Sequence, residues 1–254
     1  MSAVISRAKI ALAVVGMVVC AHSARAEVVC TERSFDGLDY TACEVDPRVD
    51  DIRLFLDGPS GEKYGQFSSI DADLATDGQT LAFAMNGGMY HDDRAPVGHY
   101  IEDGREIMRV IPNAGPGNFG LLPNGVFCVR DGRADVIETL TYDAARPQCR
   151  YATQSGPMLV IDGELHPRFL PDSTSRYTRN GVGTSQDGTR AVFVISDQPV
   201  TFYEFGRIFR DNLDLPQALF FDGSVSRLHA PQLKRSDFGR WLGPIVGVVE
   251  PLDR

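Results

Sequence analysis

The feature that most constrains this fold is an uninterrupted apolar run at residues 81–85 (LAFAM), which stops at Asn86, Gly87 and Gly88. Five consecutive apolar residues are typical of a strand that is buried on both faces, so the fold needs layers on either side of it. Glycine permits left-handed backbone and close approach of other groups. The segment therefore predicts either a tight turn after a core strand or a site where polar groups face a ligand.

Three later segments repeat this combination of an apolar run with small polar or charged residues. They are residues 154–160 (QSGPMLV), 179–183 (RNGVG) and 218–224 (ALFFDGS). Binding groups are commonly placed where strands end, so we expect the four segments to converge on one pocket.

Taken together, the four motifs N-G-G-M-Y, Q-S-G-P-M-L-V, R-N-G-V-G and D-G-x-x-S resemble those of the phosphodiester glycosidase family, in particular its short, exported bacterial branch. The resemblance extends over residues 52–249. It implies an α+β fold and a hydrolase that cleaves a sugar 1-phosphodiester or a related envelope or exopolysaccharide glycan linkage. The residues after Asp222 depart from the glycine-rich ending of another branch of the family, which leaves room for a different substrate or for loss of activity.

The N-terminus has the pattern of a secretory signal peptide. A basic start precedes the uncharged residues 10–20, and an Ala-x-Ala site ends at Ala26. We expect cleavage there, which gives a signal peptide (1–26), a phosphodiester glycosidase-like domain (27–254) and a periplasmic or secreted bacterial protein. Lipoprotein processing at Cys20 is disfavoured because the preceding residues are not small.

The charge of the mature chain argues against nucleic acid as a partner. Loss of Arg7, Lys9 and Arg25 from the 25 basic residues leaves 22 against 34 acidic residues, a formal charge of −12. Phosphate backbones require basic surfaces, so an anionic substrate must meet a local cation here. No second apolar span follows the signal, and the expected partner is a carbohydrate or a sugar phosphate.

Four cysteines remain after export, and an even number in an exported chain predicts disulfides. Three pairings are open on number alone. Cys30 and Cys43 flank Asp36-Gly37 in a predicted hairpin, so we pair them, and Cys128 then pairs with Cys149.

Asp-Gly occurs eight times along the chain, mostly beside short β-like runs, and it favours the turns that join antiparallel strands. Helices are few. The best begins at Thr201 with a capping box and extends to about Asn212, and two more are expected at 71–77 and 236–241. The segment 191–221 has the pattern of a strand, a helix and a second strand that runs parallel to the first. We therefore predict an α+β fold: a mixed, strand-rich sheet with a few packed helices in a single compact domain.

The chemistry implied by the resemblance assigns catalytic roles to three residues. A phosphate leaving group already carries negative charge, so it needs a cation more than a strong acid. Arg179 is the expected phosphate clamp, Asp222 the carboxylate acting on water or on the sugar carbon, and Asn86 a hydrogen-bond donor. The predicted substrate-binding residues are Gly87, Gly88, His91, Gln154, Ser155, Gly156, Asn180 and Ser224.

Each residue also has a structural interpretation. Arg179 can pair with a structural acid, Asn86 can cap a turn, and Asp222 can accept backbone N–H groups. His91, Asp92 and Asp93 with His99 contain metal-ligating types, but a polar loop is preferred on spacing, so no cofactor is predicted and a divalent metal stays open. Arg179 together with Asp222 favours an enzyme. The alternative is a non-catalytic glycan-binding envelope protein that retains the pocket; such a protein is expected to expose several aromatic side chains, whereas Trp241 is the only tryptophan of this chain.

Overall fold

A computed structural model describes residues 28–252, so the predicted signal peptide and its cleavage site lie outside the described residues. Strands dominate this part of the chain. In chain order they are β1 (Val29–Phe35), β2 (Leu38–Val45), β3 (Asp51–Phe55), β4 (Gln79–Asn86), β5 (Tyr100–Glu102), β6 (Arg105–Met108), β7 (Gly125–Arg130), β8 (Arg133–Glu138), β9 (Tyr151–Ser155), β10 (Met158–Ile161), β11 (Glu164–Leu165), β12 (Asn180–Thr184), β13 (Ala191–Ser196), β14 (Gln217–Asp222), β15 (Leu228–Ala230), β16 (Arg235–Ser236) and β17 (Ile245–Pro251).

The strands form three sheets with helices packed on their outer faces, which confirms the α+β class. The first sheet has seven strands in the order β1-β2-β13-β12-β14-β10-β11. The second has the order β16-β15-β4-β17-β3, and the third β6-β5-β9-β7-β8. Within the described residues every strand pair is antiparallel, so three antiparallel sheets stand where one mixed sheet was expected.

Asp-Gly turns account for much of this antiparallel pairing. Asp36 and Gly37 join β1 to β2 with φ values of 50° and 75°. Two further Asp-Gly pairs with positive φ, at 103–104 and 162–163, join β5 to β6 and β10 to β11. Both positions of such a turn need left-handed backbone, which Asp tolerates and Gly adopts readily. The hairpins predicted from these dipeptides are confirmed.

The three sheets share one core, in which each contributes phenylalanine side chains. Phe83 of the second sheet lies 5.0 Å from Phe193 of the first, measured between ring centroids. Phe127 of the third sheet lies 5.6 Å from Phe193 and 6.3 Å from Phe221. The apolar run at 81–85 is therefore buried on both faces, as predicted, because the other sheets cover one face and a helix covers the other.

Three α-helices cover the outer faces of the sheets in the described chain: α1 (Phe67–Leu74), α2 (Thr139–Ala145) and α3 (Phe202–Arg207). The predicted capping box of α3 is present, with Thr201 Oγ1 accepting from the Glu204 N–H and Glu204 accepting from the Thr201 N–H. A π-helical turn, Ile208–Asn212, extends α3. The following strand β14 runs parallel to β13, but β12 lies between them and pairs with both.

The helix expected at 71–77 is present as α1 with a 3₁₀ turn, Ala75–Asp77, whereas the helix expected at 236–241 is wrong. That segment has irregular backbone after β16. The Asp237 N–H donates to the Leu228 carbonyl, which lies outside the segment. Directly after the segment, the Leu242 N–H donates to the Gly65 carbonyl. Gly239 further weakens any helix there.

The disulfides are Cys30–Cys43 and Cys128–Cys149, which confirms the predicted pairing. Cys30 and Cys43 are direct partners across the β1–β2 hairpin. Among the described residues no helix is long and apolar enough to cross a membrane.

Candidate functional site

Strand ends from all three sheets meet at one place. Asn86 ends β4, Ser155 ends β9, and Asn180 at the start of β12 pairs with Asp222 at the end of β14. The Asn180 side-chain amide donates to the Asn86 carbonyl oxygen at 2.8 Å. The Ser155 hydroxyl donates to the carbonyl oxygen of Phe221 at 3.2 Å. The structure thus brings together four side chains that are distant in the sequence.

Two buried amides hold the loop that follows Asp222, Gly223–Ser226, which we call the 223–226 loop. Asn86 Nδ2 donates to the Val225 carbonyl at 3.0 Å, and Asn86 Oδ1 accepts from the Arg227 N–H at 2.9 Å. Asn180 Oδ1 accepts from the Ser226 hydroxyl at 3.1 Å. The oxygen and the nitrogen of each side-chain amide both form hydrogen bonds within the protein, so the two amides position the loop.

Asp222 is a largely buried carboxylate at the start of this loop, with 9% of the residue exposed. Its Oδ1 accepts from the Ser224 N–H at 2.6 Å, and the Val225 N–H lies at 3.4 Å. Burial raises the pKa of the Asp222 carboxyl above its ordinary value, although these N–H groups and the Asn86 amide oppose the shift. The side chain is therefore both held and poised to bind a proton more readily than an exposed aspartate.

Asp222 opens onto a cleft of about 460 Å³, the first cleft, which the 223–226 loop also lines. Tyr90 also lines this cleft, and its hydroxyl donates to the Trp241 carbonyl oxygen at 3.3 Å. Burial raises the pKa of the Tyr90 phenol, and the negative charge of Asp222 adds to the shift. The guanidinium of Arg94 packs 5.3 Å from the centre of the Tyr90 ring, and Arg240 also lines the cleft.

Arg179 lies beneath the 223–226 loop and is only 1% exposed. It donates from Nε to the Val200 carbonyl at 2.9 Å and from Nη2 to the Ser175 carbonyl at 3.2 Å, and Phe202 stacks 3.7 Å from its guanidinium carbon. Nη1 has no hydrogen-bond partner among residues 28–252. Burial lowers the pKa of Arg179 to about 10, so it stays charged at neutral pH.

Neither Arg179 nor a second buried arginine, Arg227, has a carboxylate partner among residues 28–252. Arg227 is 5% exposed, donates from Nη1 to Gln66 Oε1 at 2.9 Å, and leaves Nε without a partner. Two unpaired buried cations beside one loop are costly unless an anion approaches them. The alternative reading of Arg179, as the partner of a structural acid, is wrong.

Gly87 and Gly88 serve packing between sheets. The Gly87 N–H donates to the Pro244 carbonyl at 2.8 Å. It is therefore not free to bind a ligand, contrary to the prediction. A Cβ at Gly88, where φ is 150°, would lie 2.7 Å from Thr153 Oγ1. Gly156 is similarly enclosed, since a Cβ there would lie 2.6 Å from Asn124 Cβ.

Gln154 has a structural role and does not make the predicted contact with substrate. Its Oε1 accepts from the N–H groups of His99 and Ile111, both at 3.0 Å, and its Nε2 donates to the Ile111 carbonyl at 2.7 Å. The Ser155 side chain is also fully buried, whereas Ser224 lines the first cleft.

The two histidines considered as metal ligands have different environments. Both ring nitrogens of His99 are engaged, with the Met108 carbonyl and the Tyr142 hydroxyl, each at 2.9 Å. His91 is exposed beside the first cleft, which is lined instead by its neighbours Tyr90 and Asp92. Within residues 28–252 no three His, Cys, Asp or Glu side chains are grouped to hold a metal ion.

The site residues that the sequence analysis missed are Tyr90, Arg94, Arg227 and Arg240. Tyr90 ends the N-G-G-M-Y motif, so its position beside Asn86 was an available signal. Arg227 and Arg240 lie in segments without regular pattern or motif, and only the folded chain places them beside the loop.

Comparisons with known proteins show the family and the fold of this chain. A family model described as phosphodiester glycosidase matches residues 79–242. An uncharacterized protein of Escherichia coli K12, YigE, is 34% identical over 192 residues, which cover 76% of this chain and 74% of that protein.

Two solved structures share the fold. The catalytic domain of zebrafish N-acetylglucosamine-1-phosphodiester alpha-N-acetylglucosaminidase, auto-inhibited by its pro-peptide, has a TM-score of 0.61 at 16% identity, over 89% of this chain and 85% of that one. A hypothetical protein from Synechocystis has a TM-score of 0.58 at 13% identity, over 87% of this chain and 61% of that one.

Proposed function

Because this chain belongs to the phosphodiester glycosidase family, we propose that it is an exported hydrolase that cleaves a sugar 1-phosphodiester or a related envelope glycan linkage. The observation that carries the proposal is the combination at one loop of a buried carboxylate, Asp222, and two buried arginines that lack acid partners. A negatively charged group that loses a sugar needs such cations, and the sugar carbon needs such a carboxylate.

In the proposed reaction the bond between sugar C1 and the phosphate oxygen breaks, and that oxygen stays with phosphorus. The hydroxyl of one water joins C1, and the remaining proton is released, so the products are a free sugar and a phosphomonoester. Asp222 either accepts the proton of the attacking water or first attacks C1 itself. Raising its pKa by burial makes the carboxylate a stronger base than an exposed aspartate.

The arginines supply positive charge to the departing phosphate. Arg240 lines the first cleft directly, whereas Arg179 lies under the 223–226 loop and acts through its charge and through the loop it supports. Fixed positive charges held in place by the fold stabilise negative charge as it develops on the leaving group. Asn86 and Asn180 act as positioning residues, since their amides fix the loop that carries Asp222.

The test is hydrolysis of a nucleotide sugar and of an N-acetylglucosamine phosphodiester by the purified mature chain, with free sugar and phosphomonoester measured against time. Asp222→Asn keeps the side-chain shape and removes the carboxylate, so we expect at least about a hundredfold loss of rate with an unchanged melting temperature. Asp131→Asn is the matched control, because Asp131 also precedes a glycine directly after a strand but is exposed in the turn between β7 and β8. Full activity of Asp222→Asn would refute the assignment of the carboxylate.

The second candidate is a glycan-binding envelope protein without turnover. Exposed aromatic side chains near the site, among them Phe238 and Trp241, favour it, because such rings bind sugars. Tight binding of sugar phosphates with no product over hours would select this candidate over the hydrolase.

A further inference from the structure

A second cleft, of about 510 Å³, lies on the other side of the 223–226 loop. Gly223, Ser224 and Val225 line both clefts, and so does Arg240. The loop therefore divides one longer depression, and a molecule bound in the first cleft can continue past the loop into the second.

The charges around the second cleft are those of an anion site. Arg227 and Arg240 line it without ion-pair partners in the described chain, whereas Arg176, at its rim, is neutralised by Glu204 at 2.6 Å. Among residues 28–252 no aspartate or glutamate lines this cleft, although the whole chain carries a net charge of −9. The Nε of Arg227 is buried and has no acceptor among residues 28–252, so the described part of the protein does not fully satisfy this cation. Concentrating unpaired arginines in an acidic protein favours a phosphate or carboxylate ligand here.

The rim of the second cleft is aromatic and exposed. Phe238 is 90% exposed and Tyr177 is 52% exposed, and both line the cleft. The Tyr177 ring lies 5.4 Å from the guanidinium carbon of Arg179, which fixes one side of the ring and leaves the rest to solvent. Exposed aromatic faces beside arginines are suited to stacking on a planar base or on the apolar face of a sugar ring.

We propose that the second cleft binds the leaving group of the reaction: a phosphate ester whose organic part contains a ring that stacks on Phe238 and Tyr177. This inference rests on the proposed function, and it adds that the substrate crosses the 223–226 loop with its scissile sugar in the first cleft. The phosphate then lies at the loop, within the field of Arg227 and Arg240. A phosphodiester with a large ring-bearing leaving group is thus a better ligand than one with a small alkyl group.

Binding of product-like probes to the mature protein tests the inference without requiring turnover. Uridine 5′-monophosphate carries a base, mannose 6-phosphate carries a sugar ring, and methyl phosphate carries neither. By calorimetry we expect at least one ring-bearing probe to bind about tenfold more tightly than methyl phosphate, and the identity of that probe distinguishes a base from a sugar. Phe238→Ala and Tyr177→Ala should each reduce this ratio severalfold.

Controls separate stacking from general surface change. Leu140→Ala removes another exposed apolar side chain, in α2, and should leave all three affinities unchanged. Arg240→Ala should weaken all three phosphates alike, whereas Arg105→Ala, on β6 of another sheet, should not. Both aromatic side chains are exposed, so their truncation should leave the melting temperature unchanged.

Two results would overturn the inference: ring-bearing probes that bind no tighter than methyl phosphate, or a ring preference that survives in both aromatic variants. Failure of the proposed function is a different observation. A protein that binds the ring-bearing probe through Phe238 but never releases sugar would refute hydrolysis and uphold the second cleft. Hydrolysis without any preference for the leaving group would support the proposed function and refute the inference about the second cleft.

Discussion

At the scale of single residues, the site depends on polar side chains whose hydrogen-bonding capacity is divided between the protein and the cleft. The oxygen and nitrogen of the Asn86 and Asn180 amides both bond to protein groups, while Asp222, whose Oδ1 accepts from backbone N–H groups, also lines the first cleft. Arg179 and Arg227 each leave one buried nitrogen unpartnered. Buried polar groups are normally satisfied, so unsatisfied ones beside a cleft point to a ligand.

The environment of Asp222 predicts the pH dependence of the reaction. The carboxylate must be ionised to act on water or on carbon, and burial raises its pKa above the ordinary value of 3.8. Activity should therefore fall as the pH decreases, with a midpoint above 3.8. The measurement is the profile of kcat/KM against pH, with melting curves at each pH to show that the protein stays folded. A midpoint at or below 3.8 would show that another group, or an exposed carboxylate, controls the rate.

At the scale of elements, strand ends and the loops after them determine where chemistry is placed. β4, β12 and β14 belong to two sheets, yet their ends are joined by the amide of Asn180. Elsewhere the same strand-rich construction produces charged groups with no evident catalytic use. Glu102, at the end of β5, is one: it accepts from the Tyr100 hydroxyl at 3.1 Å in a partly buried position.

Glu102 predicts a pH-dependent change in stability. Burial raises the pKa of its carboxyl from 4.5 to about 7, the charge of Asp57 adds to this, and the Tyr100 hydrogen bond opposes it. The folded state therefore binds the proton more tightly than the unfolded state, so the free energy of unfolding falls as pH rises from 4.5 to about 7. Glu102→Gln removes this dependence, and its melting temperature should exceed that of the wild type by more at pH 8 than at pH 5.

The matched control for that measurement is Glu32→Gln, an exposed change on β1, for which the difference from wild type should be similar at both pH values. If Glu102→Gln shows the same difference at pH 5 and pH 8, the carboxyl titrates alike in the folded and unfolded states and the prediction fails.

At the scale of the whole molecule, three antiparallel sheets enclose one phenylalanine-rich core, and two buried disulfides cross-link the chain. Disulfides persist in oxidising compartments, so they are compatible with a periplasmic or extracellular protein. They stabilise chiefly by restricting the unfolded chain. This agrees with our proposal that the chain is exported, which the signal-like N-terminal sequence motivates.

Export predicts a defined mature N-terminus. Since an Ala-x-Ala site follows the apolar run, cleavage after Ala26 should leave Glu27 as the first residue of the exported protein. N-terminal sequencing of protein recovered from the periplasm or medium measures this directly. A lipid-modified start at Cys20, or an uncleaved chain in the cytoplasm, would contradict it.

The sequence by itself determined the features that depend on neighbours in the chain. Continuous apolar runs such as residues 81–85 specified core strands, and Asp-Gly pairs specified hairpins such as β1–β2. Thr201 with Glu204 specified the start of α3, because each of these signals depends on local backbone geometry. The pairing of Cys30 with Cys43 followed from the hairpin between them.

Only the tertiary structure decided which polar residues face a ligand. Gln154 and Gly87 carry the same local pattern as Asp222, yet their hydrogen bonds close inside the protein, whereas Arg227 and Arg240 have no pattern and come to lie beside the loop. The helix expected at 236–241 failed for the same reason, since contacts with Gly65 and Leu228 outweighed local propensity. A hydrogen bond between residues far apart in the chain leaves no local signal, so a motif can indicate that a site exists without showing which of its residues remain free to bind.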